Sequence, residues 1–312
     1  MGNVWNDYAS KYTGVLDEGI TQDSKTGIFV DPEFKAKFVG TKNVIIPSLE
    51  MTGLGDYVRV GNGNLNEGYP GGRSVITYDT YTMEMERARK LPFDAMDADE
   101  SGINNLIAQV TGSYKTKHIV PEVDAYNLSK LAKLSKDKGN QTTISTASAD
   151  DKQSALAKFE EALLNAEESV AFSGQEMIAY VDTVMWGALM NNDKFAKQIS
   201  VTNNNGSINT KVKEYNGTKI IVVDRNRMKT EFEFNPGTSD NEGGFKPKET
   251  AKSIRTLILP KDSAKFVKKL DELKVFTPKE NQDGNAWIVD FHIYYDLFVM
   301  KSRENTIFSL VE

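Results

Sequence analysis

Apolar and polar residues alternate most cleanly near the C-terminal end of the chain. Trp287, Val289, Phe291, Ile293, Tyr295 and Leu297 share one face of a predicted strand, and "TIFSLVE" predicts a last short one. A second region of strand pattern lies at 51–82. Tyr57, Val58 and Val60 lead in, and Val75, Ile76, Tyr78 and Tyr81 lead out. Between them "GNGNLNEGYPGG" is polar and full of turn formers, so it predicts a long hairpin with an exposed tip. Residues 1 to 50 show weak periodicity and predict an arm that packs on something else.

The period then changes to that of a helix. Ile103, Leu106, Ile107, Val110 and Tyr114 recur on one helical face, and Leu128, Leu131 and Leu134 resume the pattern after Pro121. A proline inside a helix removes a hydrogen bond, so a kink or a new first turn is expected at Pro121, with Gly139 as the stop. "NQTTISTASADD" reads as a polar linker. The next region reads as α/β. It has a helix carrying Leu156, Phe159, Leu163 and Ala166, a short strand "SVAF", and a helix over "GQEMIAYVDTVMWGALM" with Met177, Tyr180, Val181, Val184 and Met185 as its core stripe. "VKEYNGTKIIVV" predicts a hairpin turning at Asn216-Gly217, and "NPGTSDNEGGFKPKET" predicts a loop.

Between the strand region and the first helix stand Asp94, Asp97, Asp99 and Glu100. Four carboxylates could hold a metal, but Asp97 precedes Glu100 by three residues at the head of an apolar helical run. That is a capping box, and negative side chains suit the positive end of a helix. Asp97 and Glu100 are therefore assigned to helix initiation.

Composition changes this picture little. The chain has 312 residues, 39% hydrophobic and 26% charged, with a formal charge of −6 that does not mark a dedicated nucleic-acid binder. The absence of cysteine removes disulfides, thiol nucleophiles and cysteine-bound zinc. No window is apolar enough for a membrane span. His118 and His292 lie far apart in sequence, outside any metal-ligand spacing, and His292 reads as a structural residue beside Asp290 and Tyr294. Gly61, Gly63 and Gly68 miss the dinucleotide spacing. Asn140, Asn205 and Asn216 begin short Asn-x-Ser/Thr triplets of the kind an Asn-rich chain produces by chance. Lys130, Lys133 and Lys136 form a row at helical spacing, read as a solvated face. No catalytic, cofactor-binding or metal-binding residues are assigned. An exposed hairpin, an arm and a cysteine-free body point to a subunit that grips its neighbours.

The order and spacing of several segments resemble the major capsid proteins of tailed phages with the Hong Kong 97 type of capsid fold. The resemblance runs from about Thr77 to Phe308. It rests on the charged strand leading into "LPFDAMDADESG", then "VPEVDAY", "YNGTKIIVVDRNRMKT", "TLILPKDSAKFVKK" and "VFTPKENQDGNAWIVDFHIYYDLFV". It implies an α+β fold with an N-terminal arm at 1–50 and an extended loop at 51–82. A peripheral domain with a long spine helix would take 83–139 and 266–312, and an axial α/β domain 140–265. Asn62, Asn64, Asn66, Glu67, Tyr69 and Arg73 would form an inter-subunit loop tip, and Lys130, Lys133 and Lys136 would face the lumen.

The implied function is a structural, non-enzymatic subunit of the virion. It self-assembles as hexamers and pentamers into an icosahedral shell around double-stranded DNA, inside the bacterial host cytoplasm. The implied partners are further copies of the chain, portal and scaffolding proteins, a decoration protein, and DNA held by non-specific contact, with no membrane and no cofactor. Two departures are visible. The arm starts almost at Met1, without the removable scaffolding segment that some members carry. The loop lysine that the founding member uses for crosslinking has no counterpart. An encapsulin-like compartment shell is the alternative on the same fold. A hydrolase or carbohydrate-binding module is the alternative of another class, and it lacks convergent polar groups in the sequence.

Overall fold

The computed structural model describes residues 24–31, 37–57, 69–94, 111–146, 149–171, 174–192, 200–204, 207–238, 242–282 and 284–312. They divide into two compact units. One is formed by residues up to Asp31 together with Glu86–Glu312, the other by residues between Pro32 and Met85.

The smaller unit is a three-stranded antiparallel sheet of β1 (Lys37–Val39), β2 (Asn43–Met51) and β3 (Ser74–Thr82), in the order β1-β2-β3. The strand entering the hairpin is thus β2, paired with β3 from Asn43↔Thr82 to Met51↔Ser74, rather than the expected segment at Tyr57. Tyr57 lies beyond the strand and is exposed, and Val58 and Val60 lie outside the described residues. Val44, Ile45 and Ile46 supply the β-branched run, and it sits inside what the sequence pattern assigned to an arm.

In the larger unit β4 (Met85–Asp94) is an edge of a second sheet, ordered β13-β14-β4, with β13 (Ala264–Phe276) and β14 (Ala286–Val299). The predicted alternation in β14 is present. Its C-terminal half, from Ile293 to Phe298, is buried on both faces. A turn of helix at 111–114 passes into a π-turn at Lys115–Ile119 and then into α1 (Val120–Asp137). The wider turn just before Pro121 accommodates a residue that donates no backbone hydrogen bond and crowds the preceding carbonyls, so the helix continues where a break was one of two expectations.

The remaining elements are β5 (Gln141–Thr143), α2 (Ala149–Ser169), β6 (Met177–Asp182), α3 (Thr183–Met190), β7 (Ser200–Asn204), β8 (Ser207–Tyr215), β9 (Thr218–Val223), β10 (Phe232–Phe234), β11 (Phe245–Pro247), β12 (Ile254–Pro260) and β15 (Phe308–Val311). Seven strands form a mixed sheet in the order β5-β15-β12-β6-β9-β8-β7, with β6 parallel to β9 and β15 parallel to β5. Phe159, Leu163 and Ala166 of α2 and Met185 and Leu189 of α3 pack with Met177, Ala179 and Val181 of β6 on one face. On the other face Tyr180 meets Phe29, and α1 packs against β12 and β15.

Two expectations of secondary structure are corrected. Met177–Asp182 is a strand and the helix starts only at Thr183. A short apolar run buried on both faces carries no period that separates strand from helix, and Asp182 ends the ambiguity by accepting the Met185 N–H at 2.6 Å as an N-cap. The described part of "SVAF", residues 169–171, is not a strand. Ser169 closes α2 and Ala171 turns the chain with φ 52°. β15, within the residues 266–312 expected to join the peripheral domain, pairs with β12 and β5 in the seven-stranded sheet and also packs against α1. The Asn216-Gly217 turn forms as expected, with φ of 47° and 79° joining β8 to β9 through the Tyr215↔Thr218 pair.

Two outcomes follow from this packing. Leu128, fully buried on α1, should cost about 2–5 kcal/mol when truncated to alanine, measured by denaturant unfolding. Glu312 offers a pH test. Burial pushes its carboxyl up, but the Thr146 N–H and the Arg255 guanidinium outweigh burial and hold it below its ordinary 4.5. A carboxyl held low in the fold adds stability above its unfolded value and loses it as pH falls through the folded value. The difference in stability between wild type and Glu312→Gln should therefore be present at neutral pH and shrink below about pH 4.5.

Candidate assembly interface

The hairpin sheet leaves apolar surface uncovered. Eight of the eleven exposed large hydrophobic residues among those described lie between Pro32 and Met85, so the uncovered surface belongs mainly to one unit. Ile76 and Tyr78, 61% and 68% exposed, are two apart on β3 and so lie on one face of it. Met51, Leu54, Tyr57 and Tyr69 extend the apolar surface toward the tip. A three-stranded sheet with uncovered apolar side chains is marginal by itself, and such patches mark binding surfaces.

The base of the tip is built. The Thr52 N–H donates to the Arg73 carbonyl at 3.0 Å and the Arg73 N–H to Thr52 Oγ1 at 2.9 Å, which continues the ladder one step past the strands. The Tyr57 and Tyr69 rings meet edge to face at 5.2 Å. Gly55 lies so close to Pro70 that a Cβ would stand 2.9 Å from the ring. Of the tip residues singled out from sequence, Tyr69 and Arg73 belong to this base, while Asn62, Asn64, Asn66 and Glu67 lie outside the described residues. Asp97 and Glu100 lie outside them as well.

The lysine row does not share one environment. Lys133 and Lys136 are exposed, but Lys130 lies over the Tyr126 and Phe298 rings and pairs with the fully buried Asp296 at 2.5 Å. The solvated-face reading is thus wrong for Lys130, whose charge neutralises a carboxylate of β14. Burying an unpaired carboxylate there would be far costlier than tethering one lysine.

An open cleft of about 890 Å³ lies in the larger unit between β4, β14, the π-turn and the tip of the β10–β11 hairpin. Its two arginines are engaged with a carboxylate and with loop carbonyls. Arg87 Nε donates to Glu122 at 2.6 Å and Arg87 Nη1 to the Asn235 carbonyl at 2.9 Å, while Arg89 Nη1 donates to the Glu242 carbonyl at 2.8 Å. Gly237, at φ 69°, lets the loop backbone come this close: a Cβ there would stand 3.2 Å from Arg89 Nη1. His118 stacks by Tyr114, and His292 Nε2 lies 3.0 Å from Glu86 Oε1. Burial raises the Tyr114 phenol above its ordinary value. The arrangement straps a loop to a sheet and positions no nucleophile with its base. Among the described residues no three His, Asp or Glu side chains are grouped to hold a metal, and no helix is long and apolar enough to cross a membrane.

Sequence reasoning missed the Arg87–Arg89 strap, whose one signal is two arginines at strand spacing. It also missed Asp124 and Asp182, which stand singly in apolar surroundings and match no motif.

No family model and no curated protein matches the sequence. Solved structures do match the fold, and they are shell-forming proteins. The fold is the Hong Kong 97 type of capsid fold. The mature capsid of bacteriophage PhiM1 superposes with a TM-score of 0.56 at 14% identity, covering 90% of this chain and 89% of that one. The capsid of cyanophage P-SCSP1u gives 0.53 at 13% identity, covering 90% of each. A virus-like particle from Pyrococcus furiosus gives 0.51 at 10% identity, covering 97% of this chain and 99% of that one.

Replacing Ile76 and Tyr78 together by serine should shift the unfolding free energy of the isolated subunit by no more than about 0.5 kcal/mol, because exposed side chains contribute little to it. Binding of an apolar dye should fall in parallel. A large loss of stability would mean that the body of the same subunit covers this face.

Proposed function

We propose that this chain is the major capsid subunit of a tailed phage, assembling as hexamers and pentamers into an icosahedral shell around double-stranded DNA. The observation that carries the proposal is the capsid fold, matched over nine-tenths of the chain, combined with a hairpin sheet whose apolar side chains are uncovered. Apolar area removed from water contributes roughly 25 cal/mol per Å², so covering this hairpin with a neighbouring copy supplies a driving force that a lone subunit lacks. On this reading the hairpin unit is the extended loop and α1 belongs to the spine of a peripheral domain. The seven-stranded sheet with α2 and α3 forms the axial domain. The role is structural rather than enzymatic.

Further partners follow from the same reading: portal and scaffolding proteins during assembly in the host cytoplasm, a decoration protein on the finished head, and the packaged DNA. Lys133 and Lys136 face the lumen in this arrangement and soften repulsion from DNA phosphates without reading sequence, an effect that salt screens. The Pyrococcus furiosus particle shares the fold at similar TM-score, and an encapsulin-like compartment is therefore the second reading.

Electron microscopy of the purified protein tests the central claim. Uniform shells are expected from wild type and none from the Ile76→Ser/Tyr78→Ser variant; dispersed wild-type subunits under all assembly conditions would overturn it. Particles made during infection should contain DNA, whereas a protein cargo would favour the second reading. The shell should also be free of covalent links. There is no lysine between Asn43 and Arg89, arginine stays protonated and is a poor nucleophile, and cysteine is absent. Boiling mature heads in detergent should give a single band near 34.8 kDa, and a ladder would show that another residue supplies a link.

A further inference from the structure

Two stretches of chain join the larger unit to the hairpin. The segment up to Asp31 leads into it, and β4 leads out of it. Both are held by one turn of α1. On the incoming side Asp124, fully buried, accepts from Ser24 Oγ at 2.6 Å, the Lys25 N–H at 3.1 Å, the Thr26 N–H at 3.0 Å and Thr26 Oγ1 at 2.9 Å. Arg227 Nη1 completes the set at 3.2 Å. Asn127, one turn on, donates to Thr26 Oγ1 at 2.9 Å, and the Tyr180 hydroxyl of β6 donates to the Lys25 carbonyl at 3.1 Å. Phe29 is buried beyond this knot and Asp31 pairs with Lys265 at 2.6 Å.

On the outgoing side Glu122 takes Arg87 of β4 in a two-pronged pair, Nε at 2.6 Å and Nη2 at 3.3 Å. Residues two apart on a helix point about 200° away from each other, so the two carboxylates look out of nearly opposite faces. One turn therefore stands between the two segments, so a displacement of that turn reaches the partners of both carboxylates. Each carboxylate sits against a guanidinium, and removing one member of a buried pair strands the other.

We infer that this turn is a shared anchor, in which Glu122 and Asp124 are positioning residues that hold both roots of the hairpin unit and couple them to each other. What the coupling does for assembly rests on the capsid reading; the coupling itself does not.

Hydrogen exchange on the isolated subunit reads it directly, with Asp124→Asn, Glu122→Gln and the double variant compared with wild type. Asp124→Asn should speed exchange at the Lys25 and Thr26 amides at least tenfold. Glu122→Gln makes no contact with residues 24–26, yet should speed exchange there at least threefold, while the amides of β6 stay as protected as in wild type. Unchanged exchange at Thr26 in Glu122→Gln would overturn the inference. Should Asp124→Asn fail to fold, Ser24→Ala removes one of its bonds only, and should raise exchange at the Arg87 amide by the same route; no change there overturns the inference equally. In the assembly assay both single variants should lower shell yield at least tenfold if wild type forms shells. Wild-type yield from the variants would overturn a role of the anchor in assembly. Absence of shells from wild type itself would count against the capsid reading alone, with the exchange result still deciding the anchor.

Discussion

Carboxylates carried into the interior must be met there, and the larger unit is organised around meeting them. Asp124, Asp182 and Asp296 are fully buried among the described residues, and each stands where separate elements join. Asp124 ties the incoming segment and Arg227 to α1. Asp182 caps α3 and pairs with Arg255 of β12, whose guanidinium also takes Glu312. Asp296 joins β14 to α1 through the Tyr126 hydroxyl at 3.0 Å and Lys130. An isolated buried charge is costly by several kcal/mol, so each site permits one arrangement of its neighbours and penalises others. Apolar packing alone, which tolerates many repackings, would not select a unique mutual placement of helix, sheets and N-terminal segment so sharply.

The hairpin unit follows the opposite rule. Its strands are fully paired with each other, yet Ile76 and Tyr78 on β3 remain open to solvent. A fold that meets its three fully buried aspartates within one chain, while leaving an apolar sheet uncovered in one unit, separates two tasks. On the capsid reading proposed above, the body is specified internally and the hairpin for a neighbouring copy, a division that suits a subunit folding first as a monomer. It also locates where mutations should act: on folding when they strike α1 or β6, on association when they strike β3.

Much of the architecture was legible where local chemistry and period agree. The strand from Trp287, the Asn-Gly turn at 216–217 and the apolar stripe of α2 each combine both signals. The order of the segments carried the capsid fold although no motif did alone. What escaped was set by tertiary context. Met177–Asp182 reads equally as helix or strand until its burial on both faces is known. β2, inside the supposed arm, was hidden because its partner β3 lies beyond a long tip. Lys130 looked like its exposed neighbours Lys133 and Lys136 because a row at helical spacing says nothing of a carboxylate 166 residues away. Arg87, Arg89 and Asp124 could not be found at all, since each acts on backbone or side chains distant in sequence.

The N-terminal segment shows how much turns on such distant pairings. Read by periodicity, residues up to 50 have no claim to a core and belong to an arm awaiting a neighbour. Yet Ser24 to Asp31 is held within its own subunit by a buried carboxylate, a tyrosine hydroxyl and a lysine, with Phe29 packed beneath. Fixing a residue's backbone costs about 1–2 kcal/mol, and this stretch offsets that cost through charge-assisted bonds together with one 3-10 turn at Gly27–Phe29. Ser24 to Asp31 are thus fixed within the subunit before the chain reaches the hairpin. On the capsid reading, a neighbour would act on a hairpin whose flanking segments, Ser24–Asp31 and Arg87, are already bonded to α1 within their own subunit.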